Sequence, residues 1–443
     1  MTNNGIKLKA LVISPAYIPL LIIILATLIQ GLFNSFEVVF GATRFQLMTF
    51  LNDPYDRFAD FVKYTLSLPG PALLYTDQWA EFVRSYLIDN PYGGIASLVH
   101  GDLSHFHLMP LVVFICLVSR YAFTMFNPMV VFFFIISILV ISLGWFLFAY
   151  VKDKKLFIFT MLALFLSYPF LFFLVRGNIG AGITGVALII ALLLCWQSKK
   201  PLLVAWLFAI AVNVRPNAVI LIGTFFFFYN FRKALFYVGL TIFGIILLFL
   251  LSFYFAHSIY LDYNFTNFFE ALRIYHNIYV LRNDGLAYNS SLLEAIKWVL
   301  HLKTAAYVFL LEKIITLFSV VLVLFSYYLF AHKKLTALEG SFILSVLYVV
   351  GTGIFADYHL IFFFSYIILL CKKLTCSPKL TVSELIILLV TVFVSIPKNY
   401  ILHNGAFYQV LLNPMILIMG MLVILFSALR RFPRSLPKEV GSD

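Results

Sequence analysis

The sequence predicts an all-α polytopic membrane protein, and three observations carry that prediction. Hydrophobic residues make up 63% of the chain, with 50 phenylalanines and a mean hydropathy of +1.00; a water-soluble globule needs far more polar cover. Apolar runs of about 20 residues recur throughout, and at about 1.5 Å per residue each can cross the roughly 30 Å hydrocarbon core. The 31 Lys and Arg against 19 Asp and Glu sit in short groups between these runs rather than on one face. That pattern orients a membrane protein, so the expected surroundings are membrane lipids and no nucleic acid is expected as a partner.

The first span, 11–33, lacks a small-residue cleavage site and is too long for a signal peptide core, so it reads as a retained span with no soluble domain before or after it. Basic groups follow at Lys7 and Lys9, Lys152 to Lys155, Lys199 and Lys200, Arg232 and Lys233, Lys333 and Lys334, Lys372 to Lys379, and Arg430 to Arg434. If all are cytoplasmic, the spans run 11–33 outward, 129–150 inward, 156–175 outward, 179–197 inward and 234–256 outward. They continue with 304–331 inward, 337–356 outward, 360–371 inward, 381–396 outward and 406–429 inward, leaving both termini cytoplasmic. The chain is then one transmembrane domain, 1–443, with a first outer loop at 34–105, a second at 257–303 and C-terminal helices over 304–429.

Two segments do not fit simple crossing. A full span at 106–126 would reverse every later helix, so Pro110 and Arg120 point to a re-entrant or interfacial segment. Residues 202–229 lie between two cytoplasmic basic groups and must go out and return; each arm covers only about 20 Å. Their break, Asn213-Val214-Arg215-Pro216-Asn217, is therefore expected part-way down an outward-facing cavity.

Most acids and histidines fall on the outward side. Within the first outer loop, Phe58, Phe61, Val62, Thr65 and Leu66, and later Trp79, Phe82, Val83 and Tyr86, repeat at helical spacing, which suits amphipathic helices on the outer leaflet. The same loop carries Asp53, Asp56 and Asp60 in a chain that is 11% charged. An aspartate at a membrane-surface cavity can take the proton that a sugar hydroxyl loses as it attacks an anomeric carbon. Asp60 is the first candidate and Asp56 the reserve; equally, these acids can be solvated partners of Arg57 and Lys63.

Arg176 and Arg215 sit where apolar spans turn, and a guanidinium there needs an anion or a route to the interface. A lipid phosphate suits the bidentate geometry of Arg, and Pro216 beside Arg215 strengthens that assignment. His359, after Asp357 and Tyr358, could donate to a phosphate or sugar or be an ordinary interfacial histidine. His100, Asp102, His105 and His107 suggest a metal cluster, but the two-residue step between His105 and His107 does not share one helix face, and no metal is expected. Cys116, Cys195, Cys371 and Cys376 show no paired spacing, arguing against structural disulfides. Asn264 and Asn289 match the glycosylation sequon at close to chance frequency. Phosphate-binding glycine loops and GxSxG are absent from the sequence, so nucleotide hydrolysis and serine esterase chemistry have no support.

Taken in order, these pieces resemble the GT-C superfamily of integral-membrane glycosyltransferases, most closely the bacterial polyprenol-phosphate-mannose-dependent mannosyltransferases. Ala59-Asp60-Phe61-Val62-Lys63-Tyr64 resembles the Asp-Phe…Tyr stretch of that family's first outer loop. Asn90-Pro91-Tyr92 through Pro110-Leu111 is similar to a loose form of its Tyr-Pro-Pro segment. Arg176-Gly177-Asn178 falls at its Gly-Gln-x-Asn turn, without the Gln, and Val214-Arg215-Pro216 at its Lys-Pro. Asn289-Ser290-Ser291-Leu292 resembles its Asn-x-Ser-Leu, and Tyr358-His359-Leu360 its Trp-x-His-His turn.

The resemblance implies a GT-C-type fold of about 10–13 transmembrane helices or half-helices with two large outer loops. It implies a metal-independent, inverting hexosyltransferase without a cofactor, drawing on a polyprenyl-phosphate mannose or glucose donor. Its acceptor would be a cell-envelope glycan or glycolipid such as O-antigen, on the outer face of the bacterial cytoplasmic membrane. Asp60 would be the general base, with Arg215, His359 and Arg176 at the donor phosphate. Asp56, Tyr64, Asn178, Asn289, His105 and His107 would line the substrate site. An O-antigen polymerase or ligase, and a flippase or transporter for the lipid-linked sugar, are the alternatives. The early Asp loop speaks against the former, and the lack of internal repeats and midplane charges against the latter.

Overall fold

In a computed structural model the described residues are 14–40, 109–123, 128–259, 263–281, 290–302, 304–397, 402–403, 406–407 and 409–431. They are almost entirely helical; the exception is one short antiparallel pair, Leu402–His403 with Ala406–Phe407. Among the described residues seven helices are long and apolar enough to cross a membrane, or eight when one bent pair is counted as a single span. Five shorter apolar helices complete the bundle. The molecule is a polytopic membrane protein: its lipid-facing surface is apolar, with residues such as Trp145, Ile141 and Leu317 about two-thirds exposed or more.

We label the helices α1 Ile18–Phe40, α2 Pro110–Phe123, α3 Pro128–Val151, α4 Lys154–Leu166, α5 Tyr168–Arg176, α6 Ile179–Trp196 and α7 Pro201–Val214. A 3-10 stretch, Pro216–Thr224, leads to α8 Phe225–Phe228 and α9 Phe231–Ile259. Then come α10 Phe265–Tyr275, a π-helical turn His276–Val280, α11 Leu292–Leu300, α12 Ala305–Ala331 and α13 Ala337–Val350. A second 3-10 stretch, Asp357–Phe363, continues into α14 Phe364–Cys376, followed by α15 Val382–Ser395 and α16 Gln409–Arg430.

Of the basic groups that punctuate the sequence, those among the described residues gather at one end of the bundle. Lys372 Nζ donates to the Tyr150 carbonyl at 2.6 Å, joining α14 to α3. Lys373 pairs with Glu384 at the start of α15. Arg431, just past α16, donates to both oxygens of Glu339, to Ser383 Oγ and to the Lys334 carbonyl. Lys152, Lys200 and Lys333 take left-handed backbone, as tight turns between antiparallel helices require. Glu339 and Glu384 each close a capping box on the first turn of their helix.

Away from this end the helices are broken. The span expected as continuous over 156–175 is bent by 52° between α4 and α5. Pro169 in the first turn of α5 cannot donate to the preceding turn, and beside the bend the Leu166 carbonyl accepts from Thr27 Oγ1 at 2.6 Å. The span expected at 360–371 begins earlier, as the 3-10 stretch from Asp357. By contrast, 202–229 forms two short arms, with α7 only 14 residues long, about 21 Å, and the chain reverses at Arg215-Pro216. Likewise α2 has 14 residues, short for a crossing, and packs Val113, Cys116 and Leu117 with Phe253 and Ala256 of α9. Residues 106–108 and 124–126 of the expected 106–126 segment, and the 34–105 loop beyond Phe40, lie outside the described residues.

Candidate functional site

Where the broken helices meet, opposite the basic end, lies a cavity of about 380 Å³, within the range of roughly 300–1,000 Å³ usual for small-molecule sites. One wall is polar: Asn178, Arg215, Asn217 and Tyr358. Facing it are His276 and Glu312, and Met109, Val112, Cys116 and Leu272 supply an apolar side.

Each polar group is placed by a break in regular structure. Gly177 ends α5 at φ 69°, a left-handed conformation that suits glycine, and turns the chain directly into Asn178. Asn178 caps α6: its Oδ1 accepts from Ala181 N at 2.8 Å, while its Nδ2 donates to the Tyr358 hydroxyl at 3.1 Å. Arg215 stands between α7 and the 3-10 stretch, with its backbone N–H donating to the Ala211 carbonyl. Just below it, buried Asn213 donates to Ala209 O and to Ile245 O of α9, which pins the end of α7 to α9. The N-terminal ends of α6 and of the 3-10 stretch both border the cavity beside Arg215, and helix N-termini favour negative charge.

On the facing wall the π-helical turn presents His276, whose Nε2 lies 3.0 and 3.1 Å from the two oxygens of Glu312 in α12. Such turns are inserted into helices most often at functional sites. Behind the wall, buried Lys297 donates to the Val280 carbonyl at 2.8 Å and to Glu294 Oε1 at 2.7 Å. Burial pushes the Glu294 carboxyl up to about 7 despite its lysine partner.

A second buried layer fixes the segment Gly353 to His359. Asp357 is fully buried and accepts from Tyr168 Oη at 2.9 Å and from Ser290 Oγ, which in turn accepts from Asn413 Nδ2 at 3.1 Å. Ser290 N donates to the Phe355 carbonyl, and Ser291 Oγ to the Gly353 carbonyl. Three separated parts of the chain, at Tyr168, Ser290–Ser291 and Asn413, thereby hold the turn that carries Tyr358.

Of the residues singled out in the sequence, Arg215 and Asn178 line the cavity together with Tyr358, the neighbour of His359. His359 itself is buried behind the wall, within electrostatic reach of Arg215; among the described residues neither of its ring nitrogens meets a hydrogen-bond partner. Arg176 precedes the lining residue Gly177 but does not line the cavity. Asp60, Asp56, Tyr64, His105, His107 and Asn289 lie outside the described residues. No group of three or more metal-ligating side chains occurs among the described residues, and their cysteines are unpaired.

Sequence reasoning missed His276 and Glu312. Glu312 had a signal: an ionisable residue within an apolar 27-residue helix marks a site by default. His276 had none, because its partner is 36 residues away. Comparison of the chain with protein families, with curated proteins and with solved structures finds no match.

Proposed function

We propose that the protein is a glycosyltransferase that moves a hexose from a polyprenyl-phosphate donor to a cell-envelope glycan or glycolipid. The observation that carries this reading is Arg215, between two short apolar helical segments, lining a cavity beside two helix N-termini. A cation held there fits a lipid-borne anion better than a soluble one, and phosphate matches its planar fork. The apolar side formed by Met109, Val112 and Leu272 suits the first units of a polyprenyl chain. Asn217, Tyr358 and the Glu312–His276 pair offer hydrogen bonds to sugar hydroxyls.

In the proposed reaction an acceptor hydroxyl attacks the anomeric carbon from the face opposite the phosphate. Its proton passes to the Asp60 carboxylate, the new C–O bond forms, and the bond from the anomeric carbon to the phosphate oxygen breaks. Polyprenyl phosphate leaves with the electron pair, and Arg215 stabilises the charge that develops on it, with His359 and Arg176 proposed to add to the positive potential. Proton, electron pair and leaving group balance without a metal or cofactor. The active site would face the exterior of a bacterial cytoplasmic membrane, with both termini inside.

The test uses purified protein and polyprenyl phosphate carrying radiolabelled mannose or glucose, with and without lipid-linked envelope glycans. Label should move from the lipid to an acceptor. Asp60→Asn should abolish that transfer, Arg215→Gln should reduce it by about 100-fold or more, and Asp56→Asn should retain it. Equal transfer by wild type and Asp60→Asn would overturn the assignment of the base; no transfer of either sugar to any glycan would overturn the function.

A further inference from the structure

At the opposite end of the bundle, a second cleft lies between the turn after α12 and the end of α16. It is lined by Phe330, Ala331, Lys333, Leu335, Thr336, Arg430 and Arg431. We infer that this cleft is a binding site for one anionic phospholipid, whose phosphate sits among Lys333, Arg430 and Arg431 and whose acyl chains run along α12 and α16.

The charge balance supports the anion. Lys333, Arg430 and Arg431 line the cleft, while the nearby carboxylate of Glu339 is already engaged by Arg431. Its Oε1 accepts from Arg431 Nη2 at 2.6 Å; its Oε2 accepts from Arg431 Nη1 at 2.8 Å and from Thr336 N and Oγ1 at 2.8 and 3.0 Å. Arg431 is thus committed to Glu339 and Ser383, while Lys333 and Arg430 supply the excess charge. The sequence after Arg431 adds Arg434 and Lys438 but also Glu439 and Asp443, so it does not change the balance.

The cleft is also built rather than a loose cluster of side chains. Lys333 N and Lys334 N donate to Phe330 O and Leu329 O at 2.8 and 2.9 Å, closing the turn, and Arg431 Nη1 clamps the Lys334 carbonyl. Arg430 lies over the Phe426 ring at 4.1 Å, which holds the guanidinium near the end of the apolar face.

The occupant is specified by what adjoins the cations. On α12, Leu317, Val321, Leu324 and Tyr328 are all more than half exposed, and on α16 Met419, Leu422 and Phe426 form a similar stripe. Both stripes end at the cleft. Cations closing two apolar stripes match a phosphate joined to acyl chains, and basic pockets between transmembrane helices bind anionic headgroups in this way. A free phosphate ion would use the cations and leave the stripes unused.

The inference does not rest on the proposed transferase activity and is tested without it. Full-length protein in phosphatidylcholine nanodiscs is titrated with fluorescent phosphatidylglycerol, using phosphatidylcholine of the same chains and inorganic phosphate as competitors. Each cation near an anionic headgroup contributes about fivefold in binding, so Lys333→Gln with Arg430→Gln should weaken phosphatidylglycerol binding by roughly 25-fold. Lys199→Gln with Lys200→Gln, at the same end but outside the cleft, should change it by less than about twofold. Both pairs replace exposed side chains, and unchanged thermal unfolding verifies that the fold is intact. Equal losses in the two double variants would mean general surface attraction and would overturn the site. Displacement of the lipid by inorganic phosphate at equal concentration would overturn the lipid as occupant.

Discussion

The two ends of the bundle use their acids in different ways. At the basic end, Asp153, Glu339 and Glu384 each cap the first turn of a helix, and Glu339 and Glu384 also neutralise a cation from a neighbouring helix. Turns there are short and tightly closed. At the cavity end, Glu312 reaches a histidine 36 residues away and Asp357 a tyrosine 189 residues away. The helices there are bent, re-entrant, π-helical or 3-10. At one end the acids sit at helix starts, where they cap as well as pair; at the other, Glu312 and Asp357 join distant segments around a space.

The sharpest way to break this contrast is Asp357→Ala. It leaves the buried Tyr168 and Ser290 hydroxyls without their acceptor and should cost about 3–5 kcal/mol, read as reduced resistance to thermal unfolding in detergent. A change no larger than that of a surface substitution would show that the distant network does not hold the cavity end. Glu339→Gln tests the other end. It halves the bidentate pairing of a partly exposed arginine and should cost about 2–3 kcal/mol, with Arg431→Lys failing to match wild type because a single ammonium cannot replace the fork.

A packing comparison comes next. Gly185 in α6 lies against Ile361 of the buried 3-10 stretch, with no room for a Cβ, whereas Gly239 in α9 faces open space. Gly185→Ala should therefore cost about 1–3 kcal/mol, and Gly239→Ala should be neutral or stabilising by less than about 1 kcal/mol. Equal effects would mean that α6 and the Asp357–Phe363 stretch are not closely packed.

The last expected effect is one of pH. Burial holds the Glu294 carboxyl at about 7, above its ordinary 4.5, so the folded protein binds that proton more tightly than the unfolded chain does. Its contribution to stability is complete below about 4.5 and declines as pH rises toward 7. Glu294→Gln should remove this decline, a difference of roughly 2 °C in unfolding midpoint across the window. Parallel pH profiles for the two proteins would assign the titration elsewhere.

Much of this architecture is legible in the sequence because the bilayer imposes it. The spacing of Lys152, Lys200, Lys333 and Arg431 marks one end, and the 28 or so residues between two basic groups leave room only for two short helical arms, which meet at Arg215. The Arg176-Gly177-Asn178 turn is readable from its glycine. The break at Ser167 is less so, since Pro169 could equally have begun or bent a helix. Least legible are the pairings His276–Glu312 and Ser290–Asp357–Tyr168. No periodicity links residues that far apart, and only their rarity within apolar surroundings marks Glu312 and Asp357 as sites needing a partner.

The re-entrant pair also has a bearing on how the protein is made. At about 21 Å, α7 is too short to enter a bilayer of about 30 Å as an independent segment when it leaves the ribosome. Its tip carries Asn213, whose side-chain amide is satisfied by the Ile245 carbonyl of a helix synthesised later. One donation of that amide is made within α7, to the Ala209 carbonyl, and the other reaches α9, so the seating of the hairpin is complete only when α9 lies against it.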